Sequence, residues 1–364
     1  MIICLYLNNL KDIMHINLIQ MSELKTEENS DRGLTGLANL GNTCFMNSCL
    51  QCLSHSGLLT EFLNNENYKK KINKTPESLI TLEWDKLRKL MWNENCIISP
   101  GGFFQSVRKV ARIKDKVIFT GFAQNDISEF LTFIIDCFHE SIKREVEMNI
   151  NGNIENDTDK LAKECFEMIK TMYKNEYSEM LNMFYGIHVS KVETKTGHYV
   201  SATPEPFMML DLAIPNKQNP TLLECVEKYV EKEELTGDNQ IFNDETKEKE
   251  DGTKQVLFWS LPNILIVTLK RFSNAGKKNQ VYVDFPLDTL DLSKFVIGYD
   301  KESFKYELYG VCNHSGGVLG GHYTAFVKTT SNNWYHFNDR QVNKVNDSVI
   351  RSPKAYCFFF RKKK

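Results

Sequence analysis

The chain has 364 residues, 41% of them hydrophobic and 11% aromatic, with 45 basic side chains against 47 acidic ones. That apolar content builds a large core and excludes a disordered chain, while a formal charge of -2 excludes a bulk field that would hold nucleic acid or an anionic membrane. Ten dispersed cysteines fit free thiols in a reducing compartment, so an intracellular protein of the cytoplasm or nucleus is expected.

The chain opens on MIICLYLNNLKDIMHINLIQ, which Lys11 and Asp12 interrupt; no basic leader precedes it and no small-residue cleavage site follows, which argues against a signal peptide. Residues 1–32 are expected to be an N-terminal extension, with Met21 as an alternative start. No apolar run reaches the roughly 18 residues that a membrane span needs. From Gly33 to about Glu147 the apolar spacing is helical. Phe45 or Met46, Cys49 or Leu50 and Leu53 mark one helix, and Ile127, Phe130 or Leu131, Ile134, Phe138 and Ile142 mark another. NINGNIENDTDK, residues 149–160, reads as an exposed linker before a further helical stretch, Leu161 to Met183. Beyond Phe184, the segments VLFWSL, NILIVTLKRF, FKYELYGV, HYTAFVK, WYHF and AYCFFF are short and β-branched or aromatic, the pattern of a mainly antiparallel sheet. NDETKEKEDGT, residues 243–253, reads as a solvated hairpin tip, and the closing RKKK as a frayed basic end.

Within GLANLGNTCFMNSCLQCL, residues 36–53, Asn42 or Thr43 can cap the helix that starts at Phe45, which sets Cys44 at its amino end. Free N–H groups and the helix dipole favour the thiolate there, and the thiolate is the form that attacks a carbonyl. Cys49 lies about 140° round the helix and Cys52 about 80° round and deeper, so both read as small core residues. A nucleophilic Cys44 needs a base from elsewhere. His322 stands in a setting built for exposure, since HSGGVLGGHYTAFVK brings four glycines up to it and then starts a strand. A hairpin centred on TTSNN sets His322 opposite position 338, 339 or 340, with opposed Cβ atoms about 4.5 to 5.5 Å apart. Asn338 and Asp339 point to opposite faces, so one of them orients the imidazole, and the spacing does not choose between them. His15, His55, His139, His188, His198, His314 and His336 read as surface or internally satisfied histidines.

Taken together, GLANLGNTCFMNSCLQCL, QNDISEFL at 124–131, and GGHYTAFVK followed by WYHFNDRQV resemble, in order and separation, the boxes of the ubiquitin-specific protease family of papain-like cysteine deubiquitinases. Weaker agreement over EPFMMLDLAIP, 205–215, and LPNILIVTLKRF, 261–272, extends the likeness over Gly33 to Lys362. The resemblance implies an α+β papain-like catalytic domain at 33–364, with a helical thumb over about 33–180 and β fingers with a β-rich palm over about 181–364. It implies a thiol-dependent hydrolase that cleaves the (iso)peptide bond after the C-terminal glycine of ubiquitin. Its partners would be ubiquitin and ubiquitinated proteins, with no nucleic acid, membrane or cofactor, and it would act as a monomer.

Carried over residue by residue, Cys44 resembles the nucleophile, His322 the general base, Asn338 the third member, and Asp339 a supporting neighbour. Asn39 resembles the side-chain donor of the oxyanion hole, working with the Cys44 backbone N–H. Gln124, Asp126 and Glu129 match residues that hold the Arg-containing ubiquitin tail, and Asp126 with Glu129, three apart, share a helix face suited to guanidinium; their alternative role is to complement the helix amino end. Asn125 stands where the family usually has Gln. The family's cleft admits a glycine-only tail. Gly316, Gly317, Gly320, Gly321 and the loop SNAGKKNQ, 273–280, are its candidate walls, and Tyr323 a candidate packing partner for the tail.

Many family members bind zinc through two CxxC pairs in the fingers. Glu193 and Thr196 take the first pair of places here, and Asn243 and Thr246 the second, so no structural zinc is expected, His188 and His198 being a lone pair. Two other readings keep the fold, a catalytically weak ubiquitin-binding decoy and a protease for another ubiquitin-like protein. The presence of Cys44, His322, Asn338 and Asn39 argues against the first, and the acidic pair against the second.

Overall fold

CFMNSCLQCLS presents apolar or small residues on every side, and a helix of that kind belongs inside a core. In the computed structural model, which describes residues 1–7, 31–197, 200–243, 247–273, 275–317 and 320–363, it forms the helix Cys44–Ser54 with every residue buried. Its polar side chains find internal acceptors: Gln51 Nε2 donates to the Thr35 carbonyl at 2.8 Å and Ser54 Oγ to the Gln51 carbonyl at 2.9 Å. On one side lie helices Gly57–Asn64, Ser78–Asn93, Gly101–Ile113 and Ile127–Ile142, which contribute Leu59, Trp84, Val107 and Phe130 to the core. On the other lies the main sheet, which contributes Ile266, Ala325, Val327 and Phe359 to the same core.

That sheet has eight strands among the described residues. Seven run side by side in the order Gln341–Val345, Trp334–Asn338, Gly320–Lys328, Lys305–Gly317, Ala355–Lys362, Ile264–Leu269 and Met209–Leu212, and Leu290–Asp291 pairs with Lys305–Gly317. All pairings are antiparallel except that of Met209–Leu212 with Ile264–Leu269. Strand alternation sends Phe359 toward the helices, and Phe358 and Phe360 into a second core behind the sheet with Leu210, Leu269 and Val311. Val200–Phe207, Gly186–Thr194, Gly252–Ser260 and Glu233–Leu235 form a separate sheet, the fingers. The expected hairpin tip is a ladder of Ile241–Asn243 with Glu248–Glu250, residues 244–246 lying outside the described ones.

Within the expected N-terminal extension, Ile2–Tyr6 pairs in parallel with Glu147–Asn151, and alternate residues Ile3, Leu5 and Leu7 are buried in one cluster with Ala162 and Phe166, residues 8–30 lying outside the described ones. Two expectations are corrected. The linker at 149–160 begins as a strand. It ends as a helix amino end, where Asn156 and Asp159 form a capping box for Asp157–Tyr173, and a break separates that helix from Glu179–Phe184. Nor are residues 361–363 of the basic end frayed, because Lys362 pairs with Tyr306 in the sheet, its ammonium 4.1 Å from the centre of the Phe304 ring, and Lys363 N–H donates to the Lys305 carbonyl at 2.7 Å; Lys364 lies outside the described residues.

Leu5 is 1% exposed. Leu5→Ala is expected to lower the denaturant unfolding free energy by about 2 to 5 kcal/mol, the cost of a cavity in a packed core; unchanged stability would mean that the strand Ile2–Tyr6 does not pack.

Candidate active site

The chain reaches the buried helix through a tight loop, with Gly41 and Asn42 both at positive φ, 98° and 55°. Neither candidate cap serves by its side chain. Thr43 Oγ1 accepts from Leu40 N–H at 2.9 Å, and Asn42 Nδ2 donates to the Phe122 carbonyl at 2.9 Å. The loop is organised by Asn39, whose Oδ1 accepts from the N–H groups of Gly41 and Thr43, both at 3.1 Å. Those contacts fix the amide so that Nδ2 points outward, and one of its hydrogens goes to Asp339 Oδ2 at 3.0 Å. Cys44 follows as the first helical residue, where backbone N–H groups have no intrahelical partner.

The strand Gly320–Lys328 packs across this helix, with Tyr323 and Ala325 in the same buried core as Cys44. His322 is the preceding residue. The ladder Ala325↔Phe337 to Lys328↔Trp334 has the register in which Asn338 is the same-face diagonal neighbour of His322, and Asn338 Oδ1 lies 2.7 Å from His322 Nε2. A carbonyl oxygen only accepts, so in this contact Nε2 is the donor and Nδ1 is the ring nitrogen left without it. Asp339 faces the other way, at φ 50°. Its two oxygens take Asn39 Nδ2 and, at 2.8 Å, Asn47 Nδ2, while its carbonyl takes Leu37 N–H at 2.8 Å. Asp339 is thereby a tie between the sheet and the loop before Cys44. Asn47 was not singled out from sequence, although an Asn inside an otherwise apolar helix was the available signal.

Burial pushes the Cys44 thiol above its ordinary pKa, and the Asp339 carboxylate adds to the rise, while backbone hydrogen bonds from Tyr323 and Phe45 oppose it. The direction is opposite to the thiolate expected from the helix end, since burial disfavours the charged form.

The remaining site candidates are arranged as follows. Gln124 forms a pair of hydrogen bonds with one residue, accepting Gly321 N–H at 2.6 Å and donating to the Gly321 carbonyl. Asp126 caps the helix Ile127–Ile142, its Oδ1 taking Ser128 N–H at 2.8 Å and its Oδ2 the Tyr356 hydroxyl at 2.6 Å. Both oxygens thus have internal donors, whereas Glu129 in the first turn is exposed. Tyr323 is not available to pack on a tail: one residue from His322 along a strand, its side chain turns into the core at 5% exposure, 4.6 Å from the His314 ring. Gly316 and Gly317 pair with Gly321 and Gly320 in the ladder that leads to His322.

Cys49 and Cys52 are core residues, Cys52 Sγ lying 3.7 Å from Cys312 Sγ. His55, His139 and His188 have internal partners in the Gln51 carbonyl, Ser178 Oγ and Glu205 Oε2, and His314 binds the Lys278 ammonium at 3.0 Å. His336 lies against the Phe326 ring. His15 and His198 lie outside the described residues. In the fingers, Thr196 Oγ1 and Asn243 Nδ2 donate to the two oxygens of Glu250 at 2.7 and 2.6 Å, and Thr246 lies outside the described residues. These side chains do not fit a zinc site, since amide and hydroxyl groups replace the thiolate donors.

Cys44 at a helix start, the imidazole of His322 held by the Asn338 amide oxygen, and the Asn39 amide on the loop before Cys44 are the groups that the papain-like resemblance implies. The family model described as ubiquitin carboxyl-terminal hydrolase matches residues 35–360, and the chain belongs to that family. It is 32% identical over 343 residues to ubiquitin carboxyl-terminal hydrolase 2 of Bos taurus, a match covering 91% of this chain and 55% of that protein. With the Gallus gallus protein of the same name it is 34% identical over 342 residues, covering 90% of this chain and 93% of that one. The chain thus spans about half the length of the mammalian relatives. Among solved structures it resembles the SAGA DUB module of Ubp8, Sgf11, Sus1 and Sgf73 bound to monoubiquitin, with a TM-score of 0.72 and 25% identity over 93% of this chain and 72% of that one. The same module bound to ubiquitin aldehyde gives 0.71.

Asp339→Asn keeps an oxygen acceptor and removes the charge. It is expected to move the pH midpoint of Cys44 alkylation by iodoacetamide downward, because less negative potential opposes the thiolate; an upward or absent shift would detach Asp339 from the electrostatics of the thiol.

Proposed function

We propose that this chain is a cysteine-dependent deubiquitinase, hydrolysing the (iso)peptide bond that follows the C-terminal glycine of ubiquitin. The observation that carries the reading is the packing of the Cys44 helix on the strand of His322, whose ring is held by Asn338 at 2.7 Å. The relatives named as ubiquitin carboxyl-terminal hydrolases and the neighbour bound to ubiquitin aldehyde support the substrate. No helix among the described residues is long and apolar enough to cross a membrane.

In this mechanism His322 Nδ1 takes the proton of Cys44 as Sγ attacks the glycine carbonyl carbon. The new oxyanion is received by the second Asn39 amide hydrogen and the Cys44 N–H, groups already oriented before substrate arrives. Collapse breaks the C–N bond, and His322 returns its proton to the leaving lysine amine. His322 then deprotonates a water that attacks the thioester, releasing the ubiquitin carboxylate and restoring the thiol. Asn338 keeps Nε2 protonated throughout, so the free lone pair stays on Nδ1. Exposed Glu129 is the carboxylate best placed to meet an arginine of the tail, since Asp126 is engaged by Ser128 and Tyr356.

The test is incubation with ubiquitin carrying a C-terminal electrophile, beside equivalent probes built on ubiquitin-like proteins. An adduct with the ubiquitin probe, absent in Cys44→Ala, is the expected result. Binding without adduct would instead indicate a decoy, and preference for another probe a different modifier. Asn39→Ala is expected to lower kcat by about 100- to 1,000-fold with little change in KM, as for loss of one oxyanion donor; an equal rise in KM would make Asn39 a wall of the cleft.

A further inference from the structure

The strand carrying His322 is half-supported where it matters. On one side Gly320, Gly321 and His322 pair with Gly317, Gly316 and Ser315. On the other the ladder with Trp334–Asn338 stops at Ala325↔Phe337, so among the described residues no strand continues along that edge beside Gly321 and His322. Glycine-rich backbone without cross-strand bonds is the least able to hold a neighbouring side chain still. The two bonds that a strand would have supplied come from one side chain. The Gln124 amide accepts Gly321 N–H at 2.6 Å and donates to the Gly321 carbonyl, imitating a paired strand residue.

The far end of this clasp is itself anchored. Two residues on, Asp126 caps its helix and takes the hydroxyl of Tyr356, a residue of the strand Ala355–Lys362 inside the same sheet. Gln124 thus stands on a segment fixed to the sheet that it clasps. Gly321 is also packed closely on its ladder side, where an added Cβ would lie 2.3 Å from His314 Nε2 and 2.5 Å from the Ser315 carbonyl oxygen.

We propose that Gln124 is a positioning residue, acting through Gly321 to hold His322 in line with Cys44, and not chiefly a contact for the substrate tail. This rests on the hydrolase reading for its kinetic consequence, but not for its geometry. Reactive groups misplaced by about 1 Å can lose about 100-fold in rate. A clasp on the residue next to the base therefore controls kcat, whereas a tail contact would control KM.

The experiment compares Gln124→Ala and Gln124→Met, the second keeping side-chain length without the hydrogen bonds. Two readouts are taken: steady-state cleavage of a ubiquitin C-terminal fluorogenic amide, and the pH profile of Cys44 alkylation by iodoacetamide, which needs no tail. Both variants are expected to lose about 10- to 100-fold in kcat with KM within about threefold, and to alkylate more slowly at neutral pH. A raised KM with unchanged kcat and unchanged alkylation would overturn the proposal in favour of a tail contact; no change in either readout would show that the clasp does nothing. Should the wild type fail to cleave ubiquitin, the substrate reading falls, and the alkylation profiles alone decide the role of Gln124.

Discussion

A helix with no solvent face is positioned from both sides at once, and the site depends on that constraint. Cys44–Ser54 is buried along its whole length between the helical half and the main sheet, so any shift of one half against the other is resisted by its side chains. Cys44 sits at the end of this helix and inherits its precision. It also inherits its dryness, and the cost is a thiol held above its ordinary pKa. Rigid placement and easy ionisation pull in opposite directions here, since burial is the largest influence on the thiol. The strand that bears His322 packs against the same helix, with Tyr323 and Ala325 in the core that holds Cys44.

The polar ties across the seam share one logic, in which side-chain groups complete what strands leave open. Asp339 accepts Asn39, Asn47 and Leu37 from the helical half, and Asp126 accepts Tyr356 from the sheet. Hydrogen bonds to a charged group are each worth about 1.5 to 3 kcal/mol, enough to fix loops that have little apolar surface of their own. Asp339 carries a further consequence. The carboxylate that accepts Asn39 also opposes ionisation of Cys44, so the orientation of that amide and the charge state of the thiol are coupled through one residue.

Much of this was legible in the sequence where the signal is local. The Cys44 helix, the strands from residue 252 onward and the hairpin parity that separates Asn338 from Asp339 follow from periods of 3.6 and 2. The same parity turns Tyr323 away from the face of His322, and taking Tyr323 as a tail contact ignored it. What could not be read is pairing between distant segments. Ile2–Tyr6 finds its partner at Glu147–Asn151, and Lys362 finds Tyr306, through contacts that leave no local mark on either stretch. Polar composition made 149–160 look like a linker, yet burial of one face of the adjoining strand overrides propensity there. The partners of Gln124 and Asp126, 197 and 230 residues away, are invisible for the same reason.

The fingers follow a related principle without help from a metal donor set. Ile241–Asn243 and Glu248–Glu250 form a short ladder, and two-stranded ribbons are marginal by themselves. Asn243 is fully buried, and an amide in that position must be paired. Glu250 accepts Asn243 on one oxygen and Thr196 on the other, joining the ladder to the end of the strand Gly186–Thr194. Gly252 brings the chain close: a Cβ there would lie 2.5 Å from the Glu193 carbonyl oxygen, so the approach excludes any larger residue. A carboxylate bridging two neutral donors fixes the fingertip by geometry, where two pairs of thiolates would have required a cation to cancel their repulsion.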